Sequence, residues 1–157
     1  MIQIEEDYFK NELNDFDFER DIIFTFKSCK IGNKVYQSEM YKPKGMKKFN
    51  YAVQFISKSG YKQFGLIKYF IRIGDLSFVA IHDLQVSHYI SENILGRLTK
   101  KNQALKNLGV FNRFFFHIEE SDSVSFILTS QLFCKCIYIQ NEHDSFITEF
   151  ITENEHD

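Results

Sequence analysis

The chain has 157 residues, 44% hydrophobic and 25% charged, with a formal net charge of −2. That profile excludes a disordered chain and fits one soluble globular domain with enough apolar surface for a core. No stretch approaches the ~18 uninterrupted apolar residues of a membrane span, and Met1 to Asp7 lacks the basic and apolar regions of a secretory signal, so a cytoplasmic or nuclear protein with no membrane partner is expected.

Residues 1–20 hold seven acids against Lys10 and Arg20, with Tyr8, Phe9, Leu13, Phe16 and Phe18 as apolar anchors. They read as an acidic N-terminal arm. Residues 21–151 read as a single β-rich domain, because eighteen Phe and eight Tyr with one Pro and no Trp favour strands. Residues 152–157 read as an acidic tail. The stretch 139–157 carries six acids and no Lys or Arg, whereas residues 21–138 carry 17 basic and 8 acidic residues. A basic body therefore lies between two acidic ends, a block pattern that often marks interaction surfaces.

Within the domain, Ile22 to Ser28 and Val35 to Tyr41 are strand-like, and Gly32-Asn33 between them supplies the backbone freedom of a tight hairpin. Lys42-Pro43-Lys44-Gly45-Met46-Lys47-Lys48 is a loop by its Pro and Gly and the most basic short segment of the chain. A meander follows: a strand from Tyr51 to Ser57, a turn at Lys58-Ser59-Gly60, a strand from Tyr61 to Arg72, a turn at Gly74-Asp75, and a strand from Leu76 to about Leu84. The near-continuous apolar runs at Phe64 to Ile73 and Leu76 to Ile81 predict strands covered on both faces.

Residues 86–110 break the pattern and read as one helical or loop excursion, in which Arg97, Lys100, Lys101 and Lys106 form a second basic cluster. Strand character returns at Phe111 to Ile118, turns at Glu120 to Ser123, and resumes at Val124 to Leu128, Phe133 to Ile139 and Phe146 to Ile151. The expected fold is mainly β (β-rich α+β): a small antiparallel barrel or sandwich.

The chain has no Gly-x-Ser-x-Gly elbow, phosphate-binding loop, His-Glu-x-x-His or dinucleotide fingerprint, so a non-enzymatic protein without a cofactor is expected. The cysteines, Cys29, Cys134 and Cys136, are odd in number and expected to stay reduced. Cys134 and Cys136 share a strand face, and Cys29, His117 or His143 are candidates to complete a zinc set, but the Cys-x₂-Cys knuckle is missing and no metal is expected. His82 and Asp83 point to opposite faces of a strand, a poor geometry for an acid/base pair, and His82 reads as a strand-end residue at a turn.

The basic clusters carry the functional expectation, since phosphate binding depends on Lys and Arg brought near a polyanion. Lys42, Lys44, Lys47, Lys48, Arg97, Lys100, Lys101, Lys106 and Arg113 are the candidate RNA-binding residues. Tyr41, Phe49 and Tyr51 flank the first cluster and are placed to stack on unpaired bases.

Two resemblances add to this reading. Val35-Tyr36-Gln37-Ser38, Phe64 to Phe70 and Phe78 to Ile81, with Ile127 to Leu132 and Cys136 to Ile139, resemble the bromo-adjacent-homology-like β module of transposon-derived proteins, over roughly residues 22–150. That resemblance implies an interaction barrel without catalytic residues, with chromatin or basic proteins as partners. The whole chain, short and heavy in Phe, Ile, Lys and Asn, resembles microsporidian ribosome dormancy factors. That resemblance implies a hibernation factor that docks on the ribosome, on rRNA and ribosomal proteins, and occupies a tRNA site such as the exit site. Turnover of a substrate would indicate a third class, an enzyme without a recognisable motif.

Overall fold

The computed structural model describes residues 23–41, 51–87, 115–140, 142 and 144–149. They form nine strands: β1 (Ile23–Phe26), β2 (Ser28–Ile31), β3 (Lys34–Gln37), β4 (Ala52–Ile56), β5 (Lys62–Ile73), β6 (Leu76–Val86), β7 (Phe116–Leu128), β8 (Leu132–Gln140) and β9 (Ser145–Glu149). The 3₁₀ turn Thr129–Gln131 joins β7 to β8.

All the strand pairings are antiparallel, and the main sheet runs β5-β4-β8-β9-β7-β6 and returns to β5, so six strands close into a barrel. Closure removes the open edges that an unclosed sheet would present to other chains. β1 is an extra strand: it pairs with Phe70–Ile73 of β5, along the edge that β4 occupies at Lys62–Leu66. β2 and β3 form a separate hairpin through Gly32-Asn33. Gly32 has φ +60 and no non-glycine residue among the described ones has positive φ, the pattern of a type II′ turn with glycine first.

The alternation of side chains sorts the core into inside and outside. Ala52, Phe64, Leu66, Leu84, Ile118, Cys134, Cys136, Tyr138 and Ile147 come from all six barrel strands and fill the interior. A second cluster, with Val53, Phe55, Ile67, Phe70, Val79, Ile81 and Ile127, lies on the outer face, and the β2–β3 hairpin covers it with Tyr36, Cys29 and Ile31. Burial on both faces explains the unbroken apolar runs of β5 and β6, and each large side chain so buried stabilises the fold by about 1.5–3 kcal/mol. The hairpin is tied down by Ser38, fully buried, whose N–H and hydroxyl both donate to the Lys27 carbonyl at 2.9 Å.

Irregularities give the barrel its curvature. Lys68 is the extra residue of β5 between the Ile67↔Ile81 and Tyr69↔Ala80 pairs, and Phe133 is extra on β8 between Gln54↔Cys134 and Phe55↔Leu132. On β7, Ser121, Asp122 and Ser123 bulge opposite Asp83, between His82↔Val124 and Leu84↔Glu120.

The meander from Tyr51 onward is observed as β4, β5 and β6, and the barrel is the observed architecture. Three local expectations are corrected. Ile23–Phe26 is not an arm of the first hairpin; Ser28–Ile31 is, because β1 gains a longer partner in β5. Residues 120–123 are not a turn: β7 is continuous from Phe116 to Leu128, and its polar residues are held in a bulge by bonds to β6. His82 lies within β6 rather than at its end. The acidic arm 1–20, the loop 42–50, the excursion at 88–110 and the tail 152–157 lie outside the described residues.

Candidate nucleic-acid interface

All nine residues singled out from the sequence, Lys42, Lys44, Lys47, Lys48, Arg97, Lys100, Lys101, Lys106 and Arg113, lie outside the described residues. Among the described ones, a different group of cations gathers around the start of β8. The ring of Phe133, at the bulge, is 49% exposed, and Lys62 at the start of β5 sets Nζ 3.7 Å from that ring's centroid. Tyr61, next to Lys62, is 73% exposed.

Lys135 is two residues further along β8, with Nζ 5.9 Å from the centroid of the Tyr36 ring on the hairpin. Lys34 precedes Tyr36 by two residues and so shares its face of β3. Both Lys34 and Lys62 lie close enough to Cys134 to act on its thiol electrostatically. Ile137 and Ile139, exposed on the same outer face of β8, extend this surface as an apolar strip. The start of β8 therefore carries two cation–ring contacts, Lys62 on the exposed Phe133 ring and Lys135 on the Tyr36 ring.

Strand pairing makes the juxtaposition. Lys62 pairs with Ile56 across β4, and β4 pairs on its other edge with β8. Gln131 fixes the corner: its Nε2 donates to the Ile56 carbonyl at 3.0 Å and its Oε1 accepts from the Leu128 N–H at 2.9 Å. No family model, curated protein or solved structure matches the chain.

Several other polar groups are hydrogen-bonded within the fold. Asp83 Oδ2 accepts from Ser123 Oγ at 2.7 Å and Ser125 Oγ at 2.8 Å, Ser121 Oγ donates to the Asp83 carbonyl, and His82 Nε2 is hydrogen-bonded to the Ser121 carbonyl. These bonds lock the β7 bulge onto β6 and give His82 a main-chain partner in place of a carboxylate. His117 sits 3.6 Å from Asp144 Oδ1 with its ring edge-on to Phe146, and its Nδ1 is buried with no hydrogen-bond partner.

The candidate zinc ligands are separated. Cys29 packs in the outer cluster, Cys134 and Cys136 in the interior, His117 faces Phe146, and His143 lies outside the described residues. No group of three metal-binding side chains forms among the described residues. No helix among them is long and apolar enough to cross a membrane.

A cleft of about 510 Å³ is lined by Glu39, Met40, Tyr51, Lys68 and Tyr69. Burial, then the Glu39 carboxylate, Tyr138 and Glu120, push the Tyr51 phenol up to about 12. Burial likewise raises Tyr138, whose hydroxyl donates to Glu120 Oε1 at 3.3 Å.

Proposed function

We propose that this chain is a non-enzymatic docking protein that presents the start of β8 to single-stranded RNA of a ribonucleoprotein, a ribosomal particle being the most specific form of that target. The observation that carries the reading is Lys62 Nζ stacked 3.7 Å from the exposed Phe133 ring, next in sequence to exposed Tyr61. Lysines neutralise phosphates without regard to sequence, and exposed rings stack on bases that a duplex would hide, at about 1–3 kcal/mol per base. Duplex RNA offers the phosphates but not the base faces, so a surface built from both favours single strands.

The test is a salt titration of binding to an unstructured RNA oligomer. Replacing Lys34, Lys62 and Lys135 together by Ala lowers the slope of log K against log salt by about 2, from ~0.7 per phosphate released on a single strand. Phe133→Ala weakens binding by about 1–3 kcal/mol and leaves the slope in place. An unchanged slope in the triple variant refutes the reading. Cosedimentation of the protein with ribosomal particles, reversed by salt, distinguishes a ribosomal target from free RNA. A protein that binds basic histone-like peptides and no RNA belongs instead to the chromatin-associated class.

A further inference from the structure

One edge of β5 is shared by two strands. β4 pairs with it from Lys62 to Leu66 and β1 from Phe70 to Ile73, which leaves Ile67, Lys68 and Tyr69 between them. The Ile67 N–H donates to the Tyr51 carbonyl just before β4, and the Ile67 carbonyl accepts from the Glu39 N–H, both at 2.8 Å. Two separate segments therefore converge on this gap, where Lys68 is the extra residue of the β5 bulge. Bulges re-aim side chains, and Lys68 at this one lines the cleft of about 510 Å³ together with Glu39, Met40, Tyr51 and Tyr69. All five residues are half-buried. Ser38, fully buried and bonded twice to the Lys27 carbonyl, anchors the segment that carries Glu39. Burial first, and the Glu39 carboxylate next, raise the Tyr51 phenol, so carboxylate and ring lie close together.

The lining combines two flat rings, one carboxylate and one ammonium group. A simple anion placed there meets Glu39, and a simple cation meets Lys68. An apolar ligand strips water from both charges and returns nothing for it. A ligand with a flat face, an edge of N–H donors and a negative group satisfies all three kinds of lining at once. We propose that this cleft binds one guanine nucleotide, with its base against Tyr51 and Tyr69, its donor edge on the Glu39 carboxylate and its phosphate on Lys68. Clefts that take small ligands run to about 300–1,000 Å³, and this one falls within that range.

Guanine is singled out by its edge. Its ring N–H and its amino group lie side by side and match the two oxygens of a carboxylate, as the paired N–H groups of Arg do. A carboxylate has sites for about four donors, so Glu39 accepts both alongside any bond it makes within the fold. Adenine and cytosine offer one amino group beside an acceptor nitrogen. Uracil offers one N–H between two carbonyl oxygens, which the carboxylate repels. The nucleotide is either free or a guanosine of a single strand, whose unstacked base leaves that edge open. The proposal stands on the cleft and not on RNA docking at β8.

The test is saturation-transfer NMR on the full chain, with guanosine monophosphate and uridine monophosphate as probes. The guanine nucleotide is expected to bind about tenfold more tightly, the discrimination that one good bidentate pair supplies. Glu39→Gln keeps the size of the side chain and replaces one acceptor by a donor, so it is expected to bring the two affinities together. Lys68→Ala is expected to weaken both nucleotides alike and to leave guanosine, which has no phosphate, unchanged; this variant decides if Glu39→Gln fails to fold. An oligouridine strand carrying one guanosine that displaces guanosine monophosphate identifies RNA as the source, and a strand that does not displace it identifies the free nucleotide. Equal affinity for the two nucleotides, no saturation transfer to guanosine monophosphate at millimolar concentration, or a Glu39→Gln protein that keeps the preference would each overturn the proposal. Phe133→Ala weakens RNA docking at β8 and leaves guanosine monophosphate binding in place, so failure of one reading is told from failure of the other.

Discussion

Gly65 offers the most direct test of how the barrel is packed. It lies on β5 between Val53 of β4 and Asp83 of β6, and a Cβ placed there would fall inside contact distance of Ile81 Cγ2, 2.8 Å from the His82 carbonyl oxygen and 3.2 Å from Phe55 Cε1. Phe55 and Ile81 are both fully buried, and the His82 carbonyl belongs to the neighbouring strand, so none of the three can yield without moving the sheet. Overpacking of a well-filled core costs about 1–3 kcal/mol, and the backbone contact puts Gly65→Ala at the upper end. About 0.4–1 kcal/mol is returned because Ala reduces the entropy of the unfolded chain. A net loss of about 2 kcal/mol changes the unfolding equilibrium more than tenfold. Urea unfolding followed by tyrosine fluorescence reads this as a lower midpoint with an unchanged slope. Gly60→Ala is the control: at φ +83 with nothing within 4 Å of a new Cβ, it pays only the backbone penalty of about 1–2 kcal/mol. A Gly65→Ala midpoint equal to that of the wild type would refute the packing described for β4, β5 and β6.

Phe55→Ala removes a ring that is fully buried on the outer face beneath the hairpin, and is expected to cost about 3–5 kcal/mol in the same unfolding assay. Asp83→Ala leaves the Ser123 and Ser125 hydroxyls without their acceptor; the expected loss is about 1–3 kcal/mol, and faster amide exchange at Ser121 to Ser125 would locate it in the β7 bulge. For Tyr51, whose folded value is near 12 against an ordinary 10, the unfolded chain loses its proton first as pH rises. Stability from this group is complete below pH 10 and is lost through pH 12, so the unfolding midpoint is expected to fall across that window, and to fall less in Tyr51→Phe. Gln54→Ala removes the acceptor of Cys134 and the donor to Glu149; its expected cost of about 1–3 kcal/mol would be smaller in a Glu149→Ala background, as a double-mutant cycle would show.

The meander was legible from residue 51 to about 84 because its signals are local. Glycines punctuate Lys58-Ser59-Gly60 and Gly74-Asp75, and unbroken apolar runs between them mark strands with both faces covered, as β5 and β6 prove to be. The basic clusters of the sequence lie outside the described residues, and the described interface drew no attention as sequence because Lys34, Lys62, Phe133 and Lys135 are scattered along it. Period-two alternation tells which residues share a face, but it does not tell which strand lies alongside. That choice was made by closure of the barrel, which sets β4 between β5 and β8 and so brings Lys62 over Phe133. It also turned Glu120 to Ser123 from an apparent turn into a bulge, since Asp83 on β6 supplies the partners that a turn would otherwise find in its own backbone. Composition and local pattern determined that this chain builds antiparallel strands around an aromatic core. The tertiary structure alone decided which side chains meet, because contacts between distant strands depend on how the sheet closes and where its register shifts.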